Sequence, residues 1–269
     1  MHASPSGRID AGPQFAEIEW DSRPVRIEYE WVGPRSGPVL VFLHEGLGSR
    51  SMWKDFPSRL SEALGARGLV YSRPGYGRST MRRGDERWAP DFMHRQAREV
   101  LPMLLERLDI DEPIHLYGHS DGGSIALLYA AAFPQRVASV IAAAPHVFVE
   151  EVSVTSIEAA RRAYETTDLR ARLARHHDDP DSAFRGWNDI WLDPAFRDWN
   201  IERDIEAVRC PVLALQGLDD EYGTMEQIHR IARRVPGARL LELERCGHSP
   251  HRDQPARVIA AAVEFAGSR

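Results

Sequence analysis

The stretch Gly118-His119-Ser120-Asp121-Gly122-Gly123 decides how this chain is read. It follows the apolar run of residues 114–117 and precedes an amphipathic run that continues to Phe133, so it reads as strand, sharp turn, helix. Small residues on both sides let the backbone take a strained conformation that lifts the Ser120 hydroxyl above the end of the strand. The helix starting there aims its free N-terminal N–H groups at the same spot. This context makes Ser120 a candidate nucleophile. Without it, the same pattern would be a capping serine between glycines.

Outward from this turn, short apolar runs recur at Val39–Leu43, residues 68–72, 137–142 and 212–215, and Arg239–Leu243. Amphipathic stretches lie between most of them, at Phe56–Leu64 and residues 91–108, 122–133, 225–235 and 255–265. Buried strands alternating with helices imply an α/β fold, a mostly parallel sheet covered on both faces. Upstream, residues 15–20 and 25–31 alternate apolar and polar around Asp21-Ser22-Arg23-Pro24, which predicts an antiparallel hairpin and makes the sheet mixed. The rhythm breaks between Ala144 and Val208, where Trp187, Trp191 and Trp199 fall among short helical patterns with no strand. The expected organisation is a flexible N-terminus over residues 1–14, a core from residues 15–144 and 208–269, and an inserted helical cap over residues 145–207.

A serine alcohol is a poor nucleophile at neutral pH and needs a base, which in turn needs a partner to hold its tautomer. His248, in Cys246-Gly247-His248-Ser249-Pro250, follows the last apolar run. Asp220, in Gln216-Gly217-Leu218-Asp219-Asp220, follows the run before it. The order Ser, Asp, His completes a candidate triad of Ser120, Asp220 and His248, with Asp219 and Glu221 read as solvated neighbours. His251 is either a surface histidine or part of the pocket wall. Acyl transfer also needs donors for a developing oxyanion. One is the backbone N–H of Asp121; the other comes from His44-Glu45-Gly46-Leu47-Gly48, with Gly46 or Leu47 as donor. The doublet His176-His177 lacks metal-ligand spacing and reads as a solvated loop. The mechanism calls for no metal or organic cofactor.

The bulk composition narrows the class. The 269 residues are 43% hydrophobic and 28% charged with a net charge of -6, which excludes a disordered chain and an electrostatic nucleic-acid footprint. Cys210 and Cys246 are too few for a disulfide framework, and reduced thiols are expected. The apolar stretches are too short to cross a bilayer, and residues 1–13 carry no apolar run of a signal peptide or anchor. The expectation is a cytoplasmic protein with a small-molecule substrate and neither nucleic acid nor membrane as partner; a homodimer stays open.

With these motifs in hand, the chain resembles the α/β-hydrolase fold superfamily over nearly its whole length. The resemblance runs from His44-Glu45-Gly46-Leu47-Gly48 through Arg73-Pro74-Gly75-Tyr76-Gly77-Arg78-Ser79 and the Ser120 turn to Asp220 and His248. Glu45 departs from the pattern, since relatives usually carry glycine there. A serine at the turn sets the chain apart from dehalogenases and epoxide hydrolases, which use aspartate. Ser120-Asp121-Gly122-Gly123 with Ala144-Pro145-His146-Val147-Phe148-Val149 is most similar to the biphenyl hydrolase-like (valacyclovir hydrolase) branch. That resemblance implies hydrolysis of a small carboxylic ester, aromatic or amino-bearing, with the Asp121 carboxylate near a substrate ammonium group, where Glu45 could join it; the alternative for Asp121 is a helix N-terminal acid that favours the dipole and supplies only its N–H. Alternatives are a C–C bond hydrolase of aromatic ring-fission products, a lactonase or thioesterase, and a non-catalytic binding protein. Glu45, Asp121, His146, Phe148, Trp187 and Trp191 are the candidate substrate-binding residues. The tryptophans could equally form the cap's own core.

Overall fold

A computed structural model describes residues 12–84 and 86–267. Eight strands form one sheet: β1 (Gln14–Trp20), β2 (Arg23–Val32), β3 (Val39–Leu43), β4 (Arg67–Tyr71), β5 (Ile114–His119), β6 (Val137–Ala143), β7 (Val212–Gly217) and β8 (Arg239–Leu243). Their spatial order is β1-β2-β4-β3-β5-β6-β7-β8. The pairs β1–β2 and β2–β4 are antiparallel, and every later pair is parallel. Residues 1–11 of the expected flexible N-terminus lie outside the described residues, and Gln14 already belongs to β1. The hairpin turn is shorter than the sequence suggested. Asp21 and Ser22 alone make it, both at positive φ, which matches the twist of the flanking strands.

β3 explains why the sheet sits in the middle. All five of its residues are buried, and its alternate side chains feed two different cores. Val39, Val41 and Leu43 join the core on one face, while Leu40 and Phe42 join that on the other. Strand side chains alternate in direction, so a continuous apolar run is stable only when both faces are covered. On the Phe42 face lie α1 (Phe56–Leu64) and, later in the chain, a C-terminal helix described below. On the Val41 face lie α2 (Phe92–Arg95), a π-helical turn (Gln96–Val100), α3 (Leu101–Arg107) and α4 (Asp121–Ala132). Residues 91–108 are thus not one regular helix. Pro102 has no N–H to donate, and the wider turn before it spares the clash between its ring and the carbonyl four residues back.

Between β6 and β7 come α5 (Glu151–Thr166), α6 (Leu169–Leu173), α7 (Pro180–Trp191) and α8 (Glu202–Ile205). Then α9 (Glu226–Arg234) follows β7, and α10 (Pro250–Asp253) and α11 (Pro255–Gly267) close the chain, α11 packing beside α1. No helix among the described residues is long and apolar enough to cross a membrane.

Candidate active site

The parallel strands β3, β5, β7 and β8 all end at one edge of the sheet, and the loops that leave them build the site. Ser120 stands between β5 and α4 with φ +54° and ψ -121°, a conformation that non-glycine residues rarely adopt. Such a residue persists only where its surroundings fix it, at a cost of about 1–3 kcal/mol. Here the fixing is steric. A Cβ on Gly122 would lie 2.0 Å from the Leu43 carbonyl oxygen, so α4 can approach the end of β3 only with glycine at that position.

β7 and β8 meet just as closely. A Cβ on Gly217 would lie 2.0 Å from the Cys246 carbonyl oxygen, and the Asp219 N–H donates to that same oxygen at 3.0 Å. This contact brings the loop carrying Asp220 against the loop carrying His248. The result is a continuous chain of hydrogen bonds: His248 Nε2 lies 2.9 Å from Ser120 Oγ, and His248 Nδ1 lies 2.8 Å from Asp220 Oδ1. The Tyr222 N–H donates to the same Asp220 oxygen at 2.8 Å, and the His248 N–H donates to Glu221 at 3.1 Å.

The electrostatics follow from this pairing. Burial opposes the charge on both partners, yet the mutual hydrogen bond and opposite charge prevail. The Asp220 carboxyl is held below its ordinary value and the His248 imidazole is raised above its own. An imidazole bonded to an anion at Nδ1 keeps its Nε2 lone pair toward the serine proton, the arrangement a general base requires.

A family model described as "Alpha/beta hydrolase family" matches residues 40–262, most of the chain and every segment of this site. The chain belongs to the alpha/beta hydrolase family. A 2-hydroxy-6-oxononadienedioate/2-hydroxy-6-oxononatrienedioate hydrolase of Cupriavidus pinatubonensis is 24% identical over the full length of both chains. Among solved structures, a carboxylesterase of Nitrososphaera gargenis superposes with TM-score 0.76 at 21% identity, covering 94% of this chain and 98% of its own. The enol-lactonase of Burkholderia xenovorans does so with TM-score 0.73 at 20% identity, covering 93% and 99%. These relatives are named for different substrates, so family membership alone leaves the substrate open.

Ser120 and His248 open onto a cavity of about 110 Å³. Of the residues read from the sequence, Glu45, Gly46, Leu47, His146, Trp187 and Trp191 line it. The two tryptophans, one turn apart on α7, hang over it from the segment between β6 and β7. A Cβ on Gly46 would meet the Trp187 ring at 2.1 Å, so the fit there is tight. Ser124 Oγ fixes His146 by donating to its carbonyl at 2.6 Å and accepting from its N–H at 3.1 Å. Burial first, then the nearby His248, lowers the His146 pKa to about 3, so it presents a neutral ring.

Other residues fall elsewhere. Phe148 is absent from the cavity wall; its ring lies under the Arg230 guanidinium at 3.7 Å. The Asp121 carboxylate is fully buried behind the wall, where Trp191 Nε1 donates to it at 3.2 Å and Arg73 Nη2 approaches to 3.8 Å. It is therefore shielded from any substrate ammonium group in this arrangement. Trp199 stacks on Phe196. His251 is neither at the surface nor in the wall, but is buried against Trp53 and His119.

His176-His177 is not a solvated loop either. His177 is 3% exposed; its Nδ1 accepts from the Gly77 N–H at 2.9 Å and its Nε2 donates to the Leu47 carbonyl at 3.0 Å. Two buried backbone groups depend on one neutral ring, which a polar run in the sequence does not reveal. His119, Ile157 and Tyr222 also line the cavity and were not singled out by the sequence reading. Tyr222, whose ring lies 4.7 Å from that of His248, sits two residues past Asp220. Proximity to the candidate acid was its only signal.

Proposed function

We propose that the protein is a serine hydrolase of small, uncharged carboxylic esters, working through an acyl-enzyme. The observation that carries this reading is the unbroken contact from Asp220 to His248 to Ser120, at 2.8 and 2.9 Å, facing a cavity. His248 takes the Ser120 proton as Oγ attacks the ester carbonyl carbon, and Asp220 stabilises the resulting imidazolium. The backbone N–H groups of Asp121 and Gly46 receive the oxyanion. Asp121 is the first residue of α4, so its N–H has no acceptor within the helix. On collapse of the tetrahedral species the alkoxide leaves with the proton from His248. Water, activated by the same imidazole, then adds to the acyl-enzyme, and the acid departs as Ser120 regains its proton.

Residues 145–207 act as the cap in this reading, with Trp187 and Trp191 closing the cavity and excluding water from it. A space of about 110 Å³ is small beside the roughly 300–1,000 Å³ of sites that take drug-sized ligands, which favours a short acyl or alcohol portion. The chemistry of the wall favours an ester over a ring-fission diacid. No Arg or Lys among the described residues lines the cavity, and its acidic member is Glu45, so a dicarboxylate would meet no counter-charge.

Hydrolysis of a panel of p-nitrophenyl esters of increasing acyl length tests the proposal. Turnover is expected to be best for the shortest acyl groups and lost in Ser120→Ala. Full activity in that variant, or preferential cleavage of a dienoic ring-fission acid, would overturn it.

A further inference from the structure

The Glu45 carbonyl oxygen accepts three hydrogen bonds: from His44 Nδ1 at 2.7 Å, from the Gly48 N–H at 3.0 Å and from Arg73 Nη2 at 2.9 Å. A carbonyl oxygen has two lone pairs, so three donors on one acceptor is crowded. The peptide they converge on is Glu45–Gly46, and its N–H is the one assigned above to the oxyanion. Arg73 is 1% exposed, and the Glu45 carbonyl is the one hydrogen-bond acceptor of its guanidinium among the described residues. Its own N–H donates to His44 Nε2 at 3.0 Å, its guanidinium lies 4.8 Å from the Tyr76 ring centroid, and its Nη2 faces the buried Asp121 carboxylate at 3.8 Å. Asp121 carries the second oxyanion N–H. One buried cation therefore touches both residues whose backbones form the hole.

We propose that Arg73 is a positioning residue of the oxyanion hole, fixing the Glu45–Gly46 peptide and polarising it so that the Gly46 N–H becomes a stronger donor, with Asp121 as its counter-ion. Hydrogen bonds in series strengthen one another, and a charged donor withdraws more electron density from the carbonyl than a neutral one. No bond is made or broken by Arg73, and no proton leaves it. The placement also accounts for a carboxylate directly after the nucleophile that does not reach the cavity: its charge balances the guanidinium.

The inference rests on the acyl-transfer reading, and the experiment separates the two. Labelling of Ser120 by a fluorophosphonate in the unmodified protein tests the reading; absence of label ends both. Removing Arg73 alone would strand a buried carboxylate, so the variant is Arg73→Met/Asp121→Asn, which removes both charges and keeps the backbone donors. Its kcat on a p-nitrophenyl ester is expected to fall about 10- to 100-fold, less than or equal to the loss of a whole oxyanion donor, with KM changed less than about threefold. Affinity for a trifluoromethyl ketone, which places an anionic oxygen in the hole, should fall by the same factor, and affinity for the product alcohol should not. If that variant does not fold, Arg73→Met/Asp121→Leu repeats the measurement with an apolar pair. A folded variant with the kcat and ketone affinity of the parent would overturn the proposal and leave Arg73 as a structural counter-ion.

Discussion

The two halves of the candidate site are built in opposite ways. The proposed nucleophile, base and acid stand on loops that leave the parallel strands β5, β7 and β8, and each comes with its own short motif; the contacts that align them are glycine-to-backbone contacts, Gly122 against the end of β3 and Gly217 against the loop after β8. The oxyanion loop has a motif too, but side chains from other segments hold it: Arg73 from the turn after β4, His177 from the α6–α7 connection and Trp187 from α7. The triad half depends on strand order. The oxyanion half depends on how the segment between β6 and β7 lies on the core.

Substitutions that separate these halves should separate in effect. Ser120→Ala removes the nucleophile and is expected to reduce kcat for a p-nitrophenyl ester by at least about 10⁴-fold with an unchanged melting curve. Asp220→Asn should cost about 10³- to 10⁴-fold, because an amide cannot hold the imidazole tautomer or stabilise its cation. It should also displace the acid limb of the kcat/KM profile. His248 must be neutral to act, and Asp220 raises its pKa, so activity falls as pH drops through a value above the ordinary 6.5, and the limb moves down when Asp220 is neutralised. A limb that stays in place would detach Asp220 from the base.

On the oxyanion side, Gly46→Ala drives a methyl into the Trp187 ring. Either the loop or α7 must move, and an expected loss of about 10²-fold in kcat follows from a displaced donor. Recovery of activity in Gly46→Ala/Trp187→Leu would localise the fault to that contact.

The smallest effect belongs to His177. Replacement by Phe leaves the Gly77 N–H and the Leu47 carbonyl without partners, and about 1–3 kcal/mol of stability should be lost in a denaturant titration, with kcat reduced severalfold. Burial chiefly, and the neighbouring His176, lower the His177 pKa to about 4. Its depressed value means that the neutral form stabilises the fold. That contribution is complete above pH 6.5 and drains away as pH falls toward 4, so the parent should lose more stability over this window than His177→Phe does. Equal losses would show that the ring is not the sensor.

This asymmetry also governs how much could be read in advance. The strand–turn–helix around Ser120 and the loops of Asp220 and His248 announce themselves because each needs particular residues at fixed short spacing: glycine where backbones touch, a polar group at a strand end. Val39–Leu43 likewise betrays its two-sided burial by being apolar throughout. Trp187 and Trp191 could be either core or cavity wall from the sequence, and they line the cavity because both stand on the stripe of α7 that faces Ser120, whereas Trp199 lies beyond the end of α7 and stacks on Phe196. His177 looked solvated because it stands in a polar run; its partners lie 130 and 100 residues away. Phe148 follows His146 closely, yet the chain turns between them and sends Phe148 to Arg230.

By itself, then, the sequence determined the sheet, the order of its helices and which three side chains could form a nucleophile, base and acid, since periodicity and glycine spacing are properties of neighbouring residues. Only the tertiary structure decided that Asp121 is hidden, that Arg73 lies against both Glu45 and Asp121 and that His177 ties the α6–α7 connection to the core. Those outcomes depend on desolvation and charge pairing between segments that touch solely because the chain is folded.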